Sequence, residues 1–477
     1  MKSIITIKSN SSIKEAMKKI DKNGLGTVFI LNDKDRLIGV LSDGDIRRAI
    51  LKGTKIQTKA NLIMRKNFIK CRDSLSKSEI LKLIQEKGRR IKVIPLVDKN
   101  NKFIDYASTD RLNFIPIYIP SLKGNELKYL SNCITSNWIS SNGQYVKDFE
   151  TKFSKLHKNR KSLAVSSGTT GLHLSLVALG IKKGDEVIVP NLTFAAVINS
   201  ILYIGAKPVI VDIDKEKWTI DPYEIKKNIT KKTKAVIIVH LLGNPCDIRK
   251  ISNICKKSKI FLIEDCAEAI GSKFQNTPVG TFGDCGVFSF FGNKTITTGE
   301  GGMITFKNNN IYNRANLLRD HGMSKQKKYY HEEVGFNYRM TNLQAAIGLA
   351  QLERFNKIIK EKINIYKIYK FYLKKYKFIN FQKTEKKSIN TFWSVGINLI
   401  DKKTNINILQ KKMLKNGIET RNFFYPLNKQ KIYSKFKTKN YYNTDKIFKN
   451  SVMLPTFPGI KKSEIKFIAE SIIKNIN

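Results

Sequence analysis

Three short runs in the middle of the chain show no polar alternation: AVIIVHLL (235–242), KIFLIEDC (259–266) and CGVFSFF (285–291). A strand with one solvated face alternates apolar and polar side chains, so these runs predict strands covered on both faces, as in a mainly parallel sheet. Helical periodicity fills the intervals, as in TTGLHLSLVALG and DIRKISNICKKS. Alternation of strand and helix over 116–355 predicts a large α/β domain around a central sheet. A long helical stretch opens near Thr341, runs through LQAAIGLAQLERFNKIIKEK, and leads into a smaller α+β domain over 356–477.

The pattern differs before residue 116. SSIKEAMKKIDKNGLGTVFILNDKDRLIGVLSDGDIRRAI reads as helix, strand, turn, strand, helix, and DSLSKSEILKLIQEKGRRIKVIPLVDKNNKFIDYASTDRL repeats that order. Neither copy can bury its sheet face alone, so the two are expected to pack as a pair over 1–115. Pro116 and Pro120 in FIPIYIPSLKG break regular structure at the passage into the second region. Three domains suit 477 residues.

Charge changes this picture little. The formal net charge is +48, but Lys, Asn and Ile recur everywhere, with no focused basic face. No nucleic-acid motif accompanies the charge, so nucleic acid is not an expected partner; anionic substrates would be attracted. The six cysteines form no C-x-x-C pair and no Cys/His cluster of zinc spacing, which predicts thiols of a reducing compartment and no metal. The N-terminus lacks the apolar core of a signal peptide. The apolar stretch TFAAVINSILYIGA is broken by Asn199 and Ser200 and is too short to span a bilayer. A cytoplasmic protein without a membrane segment is expected.

The candidate chemistry centres on Lys294, in FSFFGNKTITTGEGGM (288–303). A phosphate-loop lysine needs Gly-Lys-Ser/Thr in direct succession, and Asn293 interrupts it. GTFGDCG (280–286) is not a dinucleotide fingerprint either. A covalent role remains: a partly desolvated lysine captures a carbonyl cofactor, and Phe288, Phe290 and Phe291 supply an apolar approach. A pyridoxal phosphate site also requires a phosphate cradle, an acid for the ring nitrogen and a ring to stack on the cofactor. SSGTTGLHLSL places Gly168 and Thr169 at a helix start, where N–H groups favour phosphate. FLIEDCAEAIGS places Asp265 at the end of a buried strand, and NLTFAAV offers Phe194 just after another. Singly these read as an N-cap, a capping acid and a core ring; it is their order that points to a cofactor site.

With TSNWISSNG (135–143), HLLGNPCD (240–247), GFNYRMTNLQAAIGLAQLE and GIETRNFFYP (417–426), these motifs resemble the DegT-like family of sugar-nucleotide aminotransferases, which are fold type I pyridoxal-phosphate enzymes. The resemblance covers about 115–477. It implies that Lys294 links covalently to pyridoxal 5′-phosphate and that Asp265 pairs with the ring nitrogen. It implies that Glu268 faces the phenolic oxygen, that Phe194 stacks on the ring, and that Gly168, Thr169 and Ser289 hold the phosphate. Asn337 would reach the phosphate of a neighbouring subunit, which implies a homodimer or larger homo-oligomer with shared sites. Trp138, His321, Arg339 and Arg421 lie in matching motifs as substrate contacts. The implied reaction moves the amino group of L-glutamate to C4 of a nucleotide-linked 4-keto-6-deoxy-sugar for surface polysaccharide (O-antigen) biosynthesis. GDP-4-keto-6-deoxymannose is the expected substrate and a UDP-linked 4-keto-sugar the alternative. Sugar dehydratases of the same fold carry His at the lysine position, so Lys294 argues against that activity; a catalytically inactive nucleotide sensor is opposed by the Lys294, Asp265 and Gly168–Thr169 set.

The N-terminal repeat resembles a tandem pair of CBS domains, which often bind adenine nucleotides. The ribose-contacting pattern is present as Ser42 and Asp45 in GVLSDGDI. In the second copy Ala107 stands where the hydroxyl is expected, before Asp110. A nucleotide ligand at the first position, with a regulatory role, is the implied function.

Overall fold

The computed structural model describes residues 2–75, 79–80, 83, 93–108, 111–112, 114–400 and 404–476. The chain divides into two compact units, Met1–Phe114 and Ile115–Asn477.

The first unit contains two three-stranded sheets, each with one parallel and one antiparallel pairing. The first joins β1 (Thr6–Lys8), β2 (Thr27–Leu31) and β3 (Leu37–Ser42); the second joins β4 (Cys71–Arg72), β5 (Val93–Val97) and β6 (Phe103–Ser108). The helix Ile13–Asn23 starts with a capping box, in which Ser12 Oγ accepts the Glu15 N–H and the Glu15 carboxylate accepts the Ser12 N–H. Its buried residues Ile13, Ala16 and Ile20 pack on Val28, Ile30 and Leu41. Phe29 and Leu31 of the first sheet cluster with Val97 and Phe103 of the second, so the two copies share a core. The helix expected in the second copy lies largely outside the described residues, as does Asp110.

The second unit is built on a seven-stranded sheet. Its strands are β7 (Ser162–Val165), β8 (Glu186–Pro190), β9 (Lys207–Val211), β10 (Thr233–Val239), β11 (Phe261–Asp265), β14 (Cys285–Ser289) and β15 (Gly302–Phe306), with a small β12–β13 hairpin (Lys273–Phe274, Thr277–Pro278) beside it. The order is β7-β15-β14-β11-β10-β8-β9. β15 pairs antiparallel with both its neighbours, β14 and β7, and the remaining pairings of this sheet are parallel. The unbroken apolar runs have the expected cause. Val236 and Ile238 of β10 enter one core, with Ile188 and Leu262. Ala235 and Ile237 enter the core on the other face, with Val187, Val189 and Ile263.

The helical stretch beginning near Thr341 is two helices, Asn342–Glu353 and Phe355–Leu373, broken at Arg354. Arg354 leaves helical geometry there (φ −105°, ψ 7°), and its guanidinium donates to the carbonyl and hydroxyl of Ser121. Beyond it an antiparallel sheet joins β16 (Ile379–Phe381), β17 (Val395–Leu399), β19 (Ser451–Leu454) and β18 (Arg421–Asn422), in that order. The six cysteines are unpaired and buried. No helix among the described residues is long and apolar enough to cross a membrane.

Candidate active site

In a mainly parallel sheet the strands' carboxyl ends share one edge, and loops leaving that edge converge. Asp265 is the last residue of β11 and Ser289 the last of β14. Gly168 begins the helix after β7, and Phe194 follows β8.

The helix Gly168–Ala178 is fixed at its start by a reciprocal cap: the Thr170 N–H donates to Ser167 Oγ (3.1 Å), and the Ser167 N–H to Thr170 Oγ1 (3.0 Å). Its first-turn N–H groups lie beside the end of β14. A Cβ at Gly168 would stand 2.9 Å from the Ser289 Cβ, so only glycine permits this approach.

Asp265 is buried, and its Oδ1 accepts the Ala267 N–H at 2.9 Å. Burial pushes its carboxyl up, against that hydrogen bond and the Lys294 charge. Glu268 is buried beside it, with Oε2 accepting the Leu242 N–H at 2.7 Å and Oε1 3.8 Å from Lys294 Nζ. Burial pushes Glu268 up to about 7, although Lys294 opposes the rise. The Lys294 ammonium also sits 4.4 Å from the centroid of the Trp393 ring, and Trp393 Nε1 donates to the Asn293 carbonyl at 2.9 Å. The exposed ring of Phe194 leans on Phe424, 5.8 Å away between centroids.

These groups enclose a cavity of about 330 Å³. Gly168, Thr169, Phe194, Asp265, Glu268, Ser289 and Lys294 all line it. The donor set fits a phosphorylated aromatic aldehyde: a glycine-opened helix N-terminus for the phosphate, an amine for the carbonyl, a buried carboxylate in want of a cation, and a free ring face.

The remaining sequence candidates do not line this cavity. His321, Asn337 and Arg339 form a cluster of their own: Arg339 donates to Asn337 Oδ1 (3.2 Å), meets His321 Nε2 (3.3 Å) and pairs with Asp320 (2.8 Å). Arg421 chelates Glu419 and lies 5.6 Å from the centroid of the Tyr118 ring; that ring stacks on Trp393. Trp138 is half exposed, and its carbonyl accepts from Asn342. In the first unit Ser42 and Asp45 are each other's partners, since Ser42 Oγ donates to Asp45 Oδ2 at 2.6 Å. Arg48 and Arg65 both donate to Asp45 Oδ1. Ala107 is buried, with its methyl packed near Cys71, Ile80 and Ile94.

Trp393 also lines this cavity, and no motif in the sequence marks it. His240, Glu264 and Cys266 also come together, buried, behind the strand end. The Glu264 oxygens accept N–H groups from Gly280, Phe282 and Gly283, and Glu264 pairs with His240, whose Nδ1 accepts the Cys246 N–H. With those lone pairs in use, the cluster is a hydrogen-bonded brace under β11.

Residues 120–473 match the model of the DegT/DnrJ/EryC1/StrS aminotransferase family. The chain belongs to that family. Residues 1–52 and 60–112 match the CBS domain model. Among relatives, the GDP-perosamine synthase of Escherichia coli O157:H7 is 43% identical over 361 residues, 76% of this chain and 98% of that protein. The GDP-perosamine synthase of Vibrio cholerae is 42% identical over 366 residues, 76% of this chain and 99% of that protein. Among solved structures, the E. coli GDP-4-keto-6-deoxy-D-mannose-3-dehydratase with bound hydrated PLP superposes with a TM-score of 0.71 at 27% identity, covering 75% of this chain and 99% of that one. This membership bears out the expected fold type I architecture, the pyridoxal-phosphate dependence and the CBS pair.

Proposed function

We propose that this family member transfers the amino group of L-glutamate to C4 of GDP-4-keto-6-deoxymannose, giving GDP-perosamine for surface polysaccharide (O-antigen) synthesis in the cytoplasm. The observation that carries the reading is Lys294 in one cavity with Asp265, Glu268 and the Gly168–Ser289 cradle. The two GDP-perosamine synthases, matched over nearly their full length, support the choice of sugar and nucleotide.

Bound pyridoxal phosphate supplies a carbonyl that takes up the amino group and a ring that accepts electrons as a proton leaves carbon. The chain's residues do the rest. The Gly168–Thr169 amides and Ser289 hold the phosphate, and Phe194 covers one ring face. The Asp265 carboxylate keeps a proton on the ring nitrogen; its burial suits that role, and the Ala267 N–H is the hydrogen-bond donor to it among the described residues. Glu268, pushed up to about 7, can present a proton to the phenolic oxygen where an ionised carboxylate would repel it. Lys294 Nζ takes the proton from Cα of glutamate in the first half-reaction and delivers one to C4 of the sugar in the second. Asn337 belongs to the cavity of a second copy in a homodimer or larger assembly, and Trp138, His321, Arg339 and Arg421 contact substrate. The large domain spans 116–355 and the small domain 356–477, a division supported by the helix break at Arg354 close by. The CBS pair takes a nucleotide that tunes activity.

A dehydratase reading has structural support at 27% identity, but Lys294 favours amino transfer. The test is incubation with glutamate and a panel of GDP- and UDP-linked 4-keto-sugars. A 4-amino product from the GDP-linked mannose derivative is expected; product from a UDP-linked sugar alone, or deoxygenation without amination, overturns the reading.

A further inference from the structure

The helix Phe355–Leu373 carries a lysine where its apolar stripe should continue. Phe355, Ile358, Lys362, Ile365, Tyr369 and Leu373 are its buried positions, and Lys362 is 2% exposed. A buried ammonium normally requires a carboxylate. Lys362 Nζ instead meets two carbonyl oxygens, those of Trp393 at 3.0 Å and Thr456 at 2.8 Å. Two acceptors match the two N–H groups of a neutral amine, and burial does lower Lys362 to about 7.

The same helix face grips the surrounding turns. Tyr366, one turn beyond Lys362, stacks on Phe392 with centroids 3.8 Å apart. Tyr369 donates its hydroxyl to the Pro455 carbonyl at 2.9 Å. Phe392 holds the left-handed backbone (φ 51°), which a bulky residue adopts only when its surroundings impose it. The next residue, Trp393, presents its ring to Lys294 and its indole N–H to Asn293.

We propose that Lys362 is a positioning residue for amino transfer: it anchors the strained Phe392–Trp393 turn, so that the Trp393 ring stays against Lys294 and limits where the freed amine can go. The inference rests on the functional reading above, because it requires Lys294 to be the proton carrier.

Lys362→Met, Trp393→Phe and their combination test it in the holoenzyme. Each single variant is expected to lower kcat of both half-reactions by about tenfold to a hundredfold, with KM for glutamate within about twofold, since the groups position rather than bind. The pH midpoint of the bound-cofactor absorbance should move in the same direction in both. The double variant should be no slower than the slower single one, because both changes break one linkage. Independent, multiplying effects, or a Lys362→Met enzyme with wild-type kcat and midpoint, overturn the proposal. If Lys362→Met does not fold, Trp393→Phe carries the test, and wild-type kcat and midpoint in that variant overturn it. Absence of any Lys294-dependent absorbance in the wild type overturns the functional reading and this inference together.

Discussion

Lys294 Nζ and Glu268 Oε1 lie 3.8 Å apart, both shielded from solvent, at the carboxyl edge of the parallel strands. The pair is too long for a hydrogen bond, and burial already favours the protonated acid. Lys294 is therefore not hydrogen-bonded to this carboxyl, which suits the Schiff-base role proposed for it.

Lys294→Ala should abolish the visible absorbance of covalently held cofactor. It should lower transamination of glutamate by on the order of 10⁴-fold, since in the proposed reaction one side chain is both carbonyl partner and acid/base. Absorbance spectra and single-turnover rates check this; full turnover in the variant would sink the assignment.

Glu268→Gln should stay active within about tenfold, because the amide still accepts the Leu242 N–H and offers its own donor in place of the acid proton. Its stability should respond differently to pH. Between the ordinary 4.5 and about 7 the folded wild type holds a proton that the unfolded chain has lost, so wild-type stability falls as pH rises through that window. The glutamine variant lacks this loss. The gap between the two melting temperatures should widen in the variant's favour from pH 5 to pH 8, and a constant gap would count against a protonated Glu268.

Lys362→Met should flatten the stability profile on the alkaline side. Between about 7 and the ordinary 10.5 the unfolded chain binds a proton that the folded wild type does not, so stability from this group rises with pH there. Below about 7 both states are protonated and the burial penalty is at its full value. Denaturant unfolding at pH 7.5 and pH 10 should show a smaller difference in the variant than in the wild type; equal differences would mean the amine is not proton-free in the fold.

Gly168→Ala should leave the fold in place and weaken cofactor binding by about tenfold or more, because the added Cβ meets the Ser289 Cβ at 2.9 Å and shifts the phosphate cradle. Spectroscopic titration with pyridoxal phosphate measures it, and unchanged affinity would place the phosphate elsewhere.

Asp45→Ala in the CBS unit should cost about 1 kcal/mol or more, because it removes the acidic partner of the Ser42 capping box and the acceptor shared by Arg48 and Arg65. Burial would raise the Asp45 carboxyl, but hydrogen bonds from Ser42, Arg65 and Arg48 prevail and lower it, so its contribution is present at neutral pH and fades as pH falls through the carboxylate range. Calorimetry with adenine and guanine nucleotides should show binding to the wild type that this variant loses. Binding that survives unchanged would remove Asp45 from the ligand site.

Most of the cavity was legible along the chain because its parts announce themselves locally. Asp265 and Ser289 end apolar runs, Gly168 opens a capped helix, and Phe194 follows a strand, so alternation of strand and helix fixes that they share an edge. The break at Arg354 was not legible, because helical periodicity continues through it and its contact to Ser121 comes from more than two hundred residues away. Trp393 and Lys362 were also hidden. TFWSV carries no signal beyond apolarity, and one lysine among 87 lysines and arginines draws no notice. Lys362 stands out only against the helix bounds, where it interrupts a buried stripe of Ile358, Ile365 and Tyr369.

The sequence by itself determined the layered α/β plan, the repeat that precedes it, and the residue types that converge on Lys294, because strand burial, helix periodicity and capping are short-range properties. Only the tertiary structure decided what stands against Lys294. The ring of Trp393 and the upward-shifted carboxyl of Glu268, with Lys362 holding the Trp393 carbonyl behind them, are set by burial and by contacts between distant segments. Desolvation and long-range packing leave no mark on the local pattern of the chain.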